Sequence, residues 1–493
     1  MTRRSVAAAI ITGVVVQGCT AGVSSQGSAG SPILIEGARL IVGDGSPPID
    51  DSAFIVAGDR FVRVGRRGDF GAPAGATRLD LTGKTVIPAL IDLHSHIGYE
   101  NTTLGTEAKQ NFTRENLVDH LERFAYTGHA LTQSLGSDAP DAFVWQLRED
   151  SRASSFTGAR FLTVGRGLAW PGTGPTESTR NDTPYPIVSV WQAVLAVREL
   201  AARNVSFVKI WLEDRGGYEV PPDRADRQRF VDEHGIPRVG KPSQLTPEIY
   251  GAAIAEAHRL GFRTLAHVKT REDLKDLLRA GVDGWTHPIG DLPVDDELLQ
   301  LLKERPDVLY IPVITPALVG GSAPRIAGAR PAWFADPLLQ GVKCPAYLEN
   351  FARSFEKSGR IPPAGGGLGV ENVVAIRKAG VRIALGSHDA GTNRIFGWGS
   401  HMELEAFVNW VGMSPHEAIV AATGTAARAL NLTDLGSVSA GKSADFVVLD
   451  ANPLDDIRNT RRISRVYLRG RPVDRARLQA KWAASCSNAG MSR

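Results

Sequence analysis

Cysteine is scarce: the 493-residue chain holds three, Cys19, Cys344 and Cys486. No Cys-x-x-Cys occurs, so neither a disulfide framework nor a cysteine-rich zinc site is available. Any metal must be held by His, carboxylate or a less usual ligand. Charge of one sign is lacking too. A formal net charge of +3, from 56 basic and 53 acidic residues, is too small to argue for nucleic acid, and no basic run with interleaved aromatics appears. There is no Gly-x-Gly-x-x-Gly turn to suggest a dinucleotide fold, and no Gly-x-Ser-x-Gly elbow to suggest a serine hydrolase. What remains is ordinary globular material, 43% hydrophobic and 22% charged, long enough for one large domain and a satellite.

The N-terminus reads as a targeting segment. Arg3 and Arg4 give a positive start, and residues 6–16 are apolar but too short to span a bilayer as a mature helix. Val16-Gln17-Gly18-Cys19 resembles a bacterial lipoprotein cleavage box, which makes Cys19 the lipidated first residue of the mature chain. Residues 1–19 are then a signal peptide, and the Gly- and Ser-rich 20–31 a flexible tether. The expectation is an exported protein on the periplasmic side, anchored by lipid, in the outer membrane where the host has one. The lipid is the only expected membrane contact.

Residues 33–42, 53–64 and 77–86 read as short strands separated by Gly, Pro and Asp turns. From residue 89 the pattern becomes strand–helix alternation, with strands at 89–94, 130–135, 161–165, 207–212, 264–268, 284–287, 309–313 and 382–387. Residues 248–260 illustrate the helices, with Thr246 as cap and Pro247 at the first turn. Eight such strands predict an α/β protein, a closed (β/α)8 TIM barrel over 87–431. Residues 444–450 and 465–469 return to β. Pairing 432–476 with 32–86 gives a small β-sandwich domain from both chain ends, and leaves 477–493 as a C-terminal tail.

The chemistry begins at His94-Ser95-His96. At strand period two both imidazoles share a face, and at the C-terminal end of a barrel strand that face opens on the active site. His267 ends the run Thr264-Leu265-Ala266, His287 ends Gly284-Trp285-Thr286, and Asp389 follows Ile383-Ala384-Leu385-Gly386-Ser387-His388. Lys209 sits inside the apolar Phe207-Val208-Lys209-Ile210-Trp211. A lone His at a strand end is usually structural. Several ligand-type residues and a lysine at one rim are not.

This set resembles the amidohydrolase superfamily, and its imidazolonepropionase-like and prolidase-like branch in particular. The similarity runs over nearly all of the mature chain. It includes the approach to the first strand, Val86 to His96, and the closing Gly441-Lys442-Ser443-Ala444-Asp445-Phe446-Val447-Val448-Leu449-Asp450. The resemblance implies two divalent metals, zinc first among them. His94, His96 and Asp389 would take one and His267 and His287 the other, bridged by a hydroxide and by Lys209 carboxylated by carbon dioxide. Carboxylation turns a cation into a two-oxygen anion, which removes the repulsion an ammonium would feel there. Asp389 would shuttle the proton from attacking hydroxide to leaving group. His388 intervenes where the family usually has Gly-Thr/Ser-Asp, so it competes with Asp389 to face the site.

The implied activity is hydrolysis of an amide or peptide bond in a small substrate, such as a dipeptide or N-acyl amino acid. A lactonase or carbamate esterase on the same site is the nearest variant. A mononuclear cyclic-amide hydrolase or deaminase ranks lower, because such relatives usually carry an acid where Thr270 stands here. A non-enzymatic surface lipoprotein ranks last. Substrate-contact candidates are Tyr99, Arg215, Arg394, His388 and His401, and self-association into a homo-oligomer is open. Gly436-Ser437-Val438-Ser439-Ala440-Gly441-Lys442-Ser443 matches a P-loop string, but a strand rather than a helix should follow it.

Overall fold

The computed structural model describes residues 31–175, 179–212, 245–314, 332–357, 367–389 and 396–491. Apolar, β-branched runs form the parallel strands where the sequence pattern places them: Leu90–Ser95, His129–Ser134, Arg160–Thr163, Val208–Trp211, Thr264–His267, Gly284–Thr286, Leu309–Ile311 and Arg382–Ile383. Consecutive strands pair in parallel, Val208 with Thr264 and Trp211 with His267, Ala266 with Trp285. Among the described residues these eight, joined by the short strands Leu168–Ala169 and Tyr185–Pro186, make one three-stranded and one seven-stranded sheet, not a continuously paired ring. The last strand nevertheless reaches the first through the backbone. Leu93 N–H donates to Leu385 O at 3.0 Å, His388 N–H to His94 O at 2.6 Å and His96 N–H to Asp389 O at 3.0 Å.

Helices flank the strands. Pro247–Arg259 starts at Thr246 with Pro in its first turn, as the sequence indicated. Phe207, Leu265, Leu309, Ile311, Ile91 and Leu131 belong to one buried apolar cluster. Two residues beyond Phe207 and Leu265, on the same face of each strand, stand Lys209 and His267. An apolar plug therefore underlies the polar cluster.

Strands from the two chain ends do pair: Thr85–Pro88 runs antiparallel to Phe446–Leu449. A second sheet holds Ile33–Glu36 between Ser52–Ala57 and Thr77–Asp80. The two sheets share a core in which the Phe446 ring lies 5.4 Å from Phe54 and 4.5 Å from Tyr467. The single strand expected at 53–64 is a hairpin, Ser52–Ala57 and Arg60–Arg66, because Gly58 takes a φ of 62° and turns the chain. The P-loop string leads into the strand Phe446–Leu449 and opens no helix.

The expected tail at 477–493 lies largely in the helix Arg475–Met491. Trp482 covers the Arg123 guanidinium at 4.3 Å, and its Nε1–H donates to Asp119 at 2.8 Å. Cys486 on this helix is bonded to Cys344 across 142 residues. Scarce cysteine excluded a framework but not this one staple. Among the described residues no helix is long and apolar enough to cross a membrane.

Candidate metal centre

His94 and His96 leave the first strand fully buried, with their Nε2 atoms 3.2 Å apart. Two imidazole nitrogens that close need a shared proton or a shared cation between them. His388 joins them: its ring centroid lies 4.6 Å from His94 and 4.8 Å from His96. Donor atoms of these three residues all fall within 4.8 Å of one another. The His287 ring lies 4.2 Å from His267, 5.1 Å from His94 and 4.9 Å from His388. Five imidazoles thus converge from four strand ends.

Lys209 is also fully buried, and its Nζ donates to Thr286 Oγ1 at 3.2 Å. The Trp211 ring links it to the histidines. It lies 4.9 Å below Lys209 Nζ, 4.9 Å from His267 and stacked 5.9 Å from His96. Two glycines make the room. A Cβ on Gly136 would sit 2.5 Å from Lys209 Cγ, and one on Gly386 would sit 2.6 Å from His94 Cβ.

Asp389 lies beside this cluster, its carboxylate turned to the start of the helix Trp398–Asn409. Gly397 N–H donates to Asp389 Oδ2 at 2.6 Å. Burial, then the nearby Asp92 carboxylate, push its pKa well above the ordinary carboxylate range. The resemblance put Asp389 on the metals, and alternation lets only one of Asp389 and His388 face them. In the structure the His388 ring enters the group with His94 and His96, and the Asp389 carboxylate meets Gly397. The physical reason is a φ of 56° at His388, which ends the β alternation one residue early.

Burial first, then the neighbouring His267 and His94, hold the His287 pKa well below the usual histidine value, so a neutral imidazole is offered. Buried imidazole nitrogens, one lysine and an adjacent carboxylate fit a divalent cation of the zinc kind.

The remaining sequence candidates fare differently. Tyr99 is buried, and its hydroxyl donates to Ser137 O at 2.9 Å. His401 is buried between Thr460 Oγ1, 3.0 Å from Nδ1, and Thr127 O, 2.9 Å from Nε2, which makes it a structural residue. Arg215, Arg394 and Cys19 lie outside the described residues.

Sequence reasoning missed three supports. Asp92 accepts the His94 and Ser387 backbone N–H groups at 2.9 and 3.2 Å, and the Ser387 and Ser400 hydroxyls. Its position two residues before His94, on an otherwise apolar strand, was the available signal. Burial raises its pKa to about 6. Ser137 Oγ lies 2.7 Å from His96 Nδ1 and carried no sequence signal. Lys343 and Glu100 form a fully buried ion pair from segments 243 residues apart.

With this geometry in hand, the comparisons are specific. The amidohydrolase-family profile matches residues 363–473. An imidazolonepropionase of Cereibacter sphaeroides is 25% identical over 428 residues, covering 83% of this chain and 90% of its own. Among solved structures, a Xaa-Pro dipeptidase aligns with TM-score 0.65 at 22% identity, over 90% of this chain and 99% of its own. The ochratoxinase of Aspergillus niger aligns with TM-score 0.61 at 20% identity, over 90% of this chain and 95% of its own. The chain is thus similar to amidohydrolase-family proteins, by the family profile over 363–473 and by an imidazolonepropionase over most of its length. The family match and the imidazolonepropionase relative support a hydrolase acting on carbon–nitrogen bonds.

Proposed function

We propose that the protein hydrolyses an amide or peptide bond of a small substrate, a dipeptide or an N-acyl amino acid, with two zinc ions. The convergence of His94, His96, His267, His287 and His388 around buried Lys209 carries this reading. Likeness to a Xaa-Pro dipeptidase supports the substrate class. His94, His96 and His388 hold one ion. His267, His287 and Lys209, carboxylated, hold the other. Bound zinc supplies Lewis-acid polarisation of the scissile carbonyl and acidifies a water. The chain supplies the proton path. In this reading Asp389 would accept a proton from the attacking water and give it to the leaving nitrogen. Since an amine leaves poorly unless protonated, that transfer matters most for amides.

The parallel strands are read as a closed (β/α)8 barrel, supported by the backbone bonds from the last strand to the first. The terminal sheets are read as a β-sandwich, supported by their shared core. Export with a lipid on Cys19 is part of the same reading. The Cys344–Cys486 bond suits an oxidising compartment.

A single-metal reading has one observation in its favour: His94, His96 and His388 form the tight donor group among the described residues. Elemental analysis separates the two readings. The expected result is about two zinc per chain, as two-metal chemistry requires. Lys209→Ala should lose one zinc together with turnover on a dipeptide and N-acyl amino acid panel. One tightly held zinc with full activity, or a Lys209→Ala protein of normal metal content and rate, would overturn the binuclear claim.

A further inference from the structure

Each metal-binding imidazole must present one nitrogen as a lone pair, and its other nitrogen then carries a proton that needs an acceptor. For His96 the Nε2 faces His94 Nε2 at 3.2 Å, and Nδ1 lies 2.7 Å from Ser137 Oγ. A serine oxygen can accept in any rotamer. Its place at Nδ1 gives the Nδ1–H tautomer of His96 the acceptor it needs.

Ser137 is itself held from several sides, with no exposed surface. Just before it, Leu135 N–H donates to Ser95 O at 3.0 Å, which ties the turn to the His94-Ser95-His96 segment. Gly136 O accepts from Trp211 Nε1–H at 3.2 Å and from Gly167 N–H at 2.9 Å. Ser137 O accepts the Tyr99 hydroxyl at 2.9 Å. The next residue, Asp138, is a buried carboxylate accepting the Ser134 and Thr163 hydroxyls, which bridges the ends of two neighbouring strands. Nothing in the hydrolytic proposal uses Asp138 or Tyr99. Their common effect is to fix the 135–138 turn.

We propose that Ser137 is a positioning residue for the metal centre. Its hydroxyl fixes His96 as the Nδ1–H tautomer and so aims the Nε2 lone pair into the cluster. Tyr99 and Asp138 hold Ser137 in place for that purpose. The inference rests on the metal reading above, and the two can fail separately.

The test is zinc affinity, measured on chelator-stripped protein by competition with a chromophoric chelator. The wild type is compared with Ser137→Ala, Ser137→Thr and Tyr99→Phe. Ser137→Ala should bind zinc 10–100-fold more weakly, the usual cost of removing the partner of a ligating histidine. Its turnover should return when zinc is added in excess. Ser137→Thr, which keeps the hydroxyl, should recover wild-type affinity; a residue that merely fills space would give no such rescue. A folded Ser137→Ala protein that binds zinc as tightly as wild type would overturn the proposal, as would a threonine variant no better than alanine. Should the alanine variant fail to fold, Tyr99→Phe decides, because it releases the Ser137 carbonyl. Weakened zinc binding is then expected, and unchanged affinity counts against the proposal. A wild-type protein that retains no zinc would sink the metal reading itself.

Discussion

Gly386→Ala is the sharpest single perturbation of the centre. Gly386 lies just beyond the strand Arg382–Ile383, against the first strand, and an added Cβ would stand 2.5 Å from Ile311 Cγ2 and 2.6 Å from His94 Cβ. Ordinary carbon contacts begin near ~3.5 Å, so these atoms must part by about 1 Å. His94 Cβ is fixed to a buried backbone and cannot swing aside as a side-chain tip would. Overpacking of this kind costs roughly 1–3 kcal/mol. A shift of about 1 Å in an active-site group can cost ~100-fold in rate. The melting temperature should therefore fall by a few degrees, while zinc affinity and kcat fall far more than that loss of stability explains. Gly251 is the matched control. It lies in the helix Pro247–Arg259 with open space where a Cβ would go, so Gly251→Ala should stabilise by up to about 1 kcal/mol and leave zinc binding alone. If Gly386→Ala melts and binds zinc like the wild type, the packing of the last strand on His94 is wrong, and the site geometry goes with it.

Cys486→Ser opens a loop of 142 residues, for which chain entropy allows about 5 kcal/mol and experience about 2–4. Its melting temperature should drop and become insensitive to reductant, whereas the wild type should fall to meet it in dithiothreitol. Burial raises the Asp138 pKa from 3.8 to about 6 in the folded protein, so the native state holds its proton more tightly than the unfolded chain does. The resulting stability is full below about pH 4 and is lost as pH rises through about 6, roughly 3 kcal/mol in all. Denaturant titrations should show this fall for the wild type and a flatter curve for Asp138→Asn; equal slopes would refute it. Asp389→Asn should keep its zinc and lose two to four orders of magnitude in kcat, the usual worth of acid–base catalysis. His388→Asn should lose zinc first, by roughly 100-fold or more, given that supporting residues alone are worth 10–100-fold. The reverse pattern would return Asp389 to the metal and remove His388.

Most strands were legible because each is a short apolar run closed by a polar residue, as in Thr264–His267 and Gly284–Thr286, and because a parallel strand buried on both faces admits little else. The pairing of chain ends was legible for a related reason, since Phe446–Leu449 could not bury both faces without a second sheet. The helix Arg475–Met491 was not legible: Asp474 caps its start, accepting the Arg477 N–H at 2.9 Å, but its apolar residues form no clear stripe. Neither was the bond from Cys486 to Cys344, which depends on where two distant segments end up. The imidazoles themselves were visible as strand-end residues, but their supports were not. Ser137 and Tyr99 act through one hydroxyl and one carbonyl in a turn, and a turn leaves no periodicity to read.

The order of side chains at the end of strand eight has a different origin. Alternation holds only while the backbone stays extended, and at several strand ends, two of them carrying histidines of the cluster, it does not. His287 has a φ of 77° and His388 a φ of 56°, both in the left-handed region that a residue with a Cβ avoids. Such conformations cost of order 1–3 kcal/mol each and persist only where the surroundings over-determine them. Here the surroundings are neighbouring strands: His287 N–H donates to Ile311 O at 3.0 Å, and His388 N–H to His94 O at 2.6 Å. Each strained residue is pinned by its own amide to the next strand, and each turns its ring inward. The same strand end then returns a carbonyl, since Asp389 O accepts the His96 amide at 3.0 Å. The first and last strands thus exchange backbone bonds on either side of the histidines, and Asp92 adds its carboxylate between His94 and Ser387. Strain at these two residues is therefore borne by inter-strand hydrogen bonds rather than by the imidazoles. That leaves the rings free to be positioned by what they share at the centre.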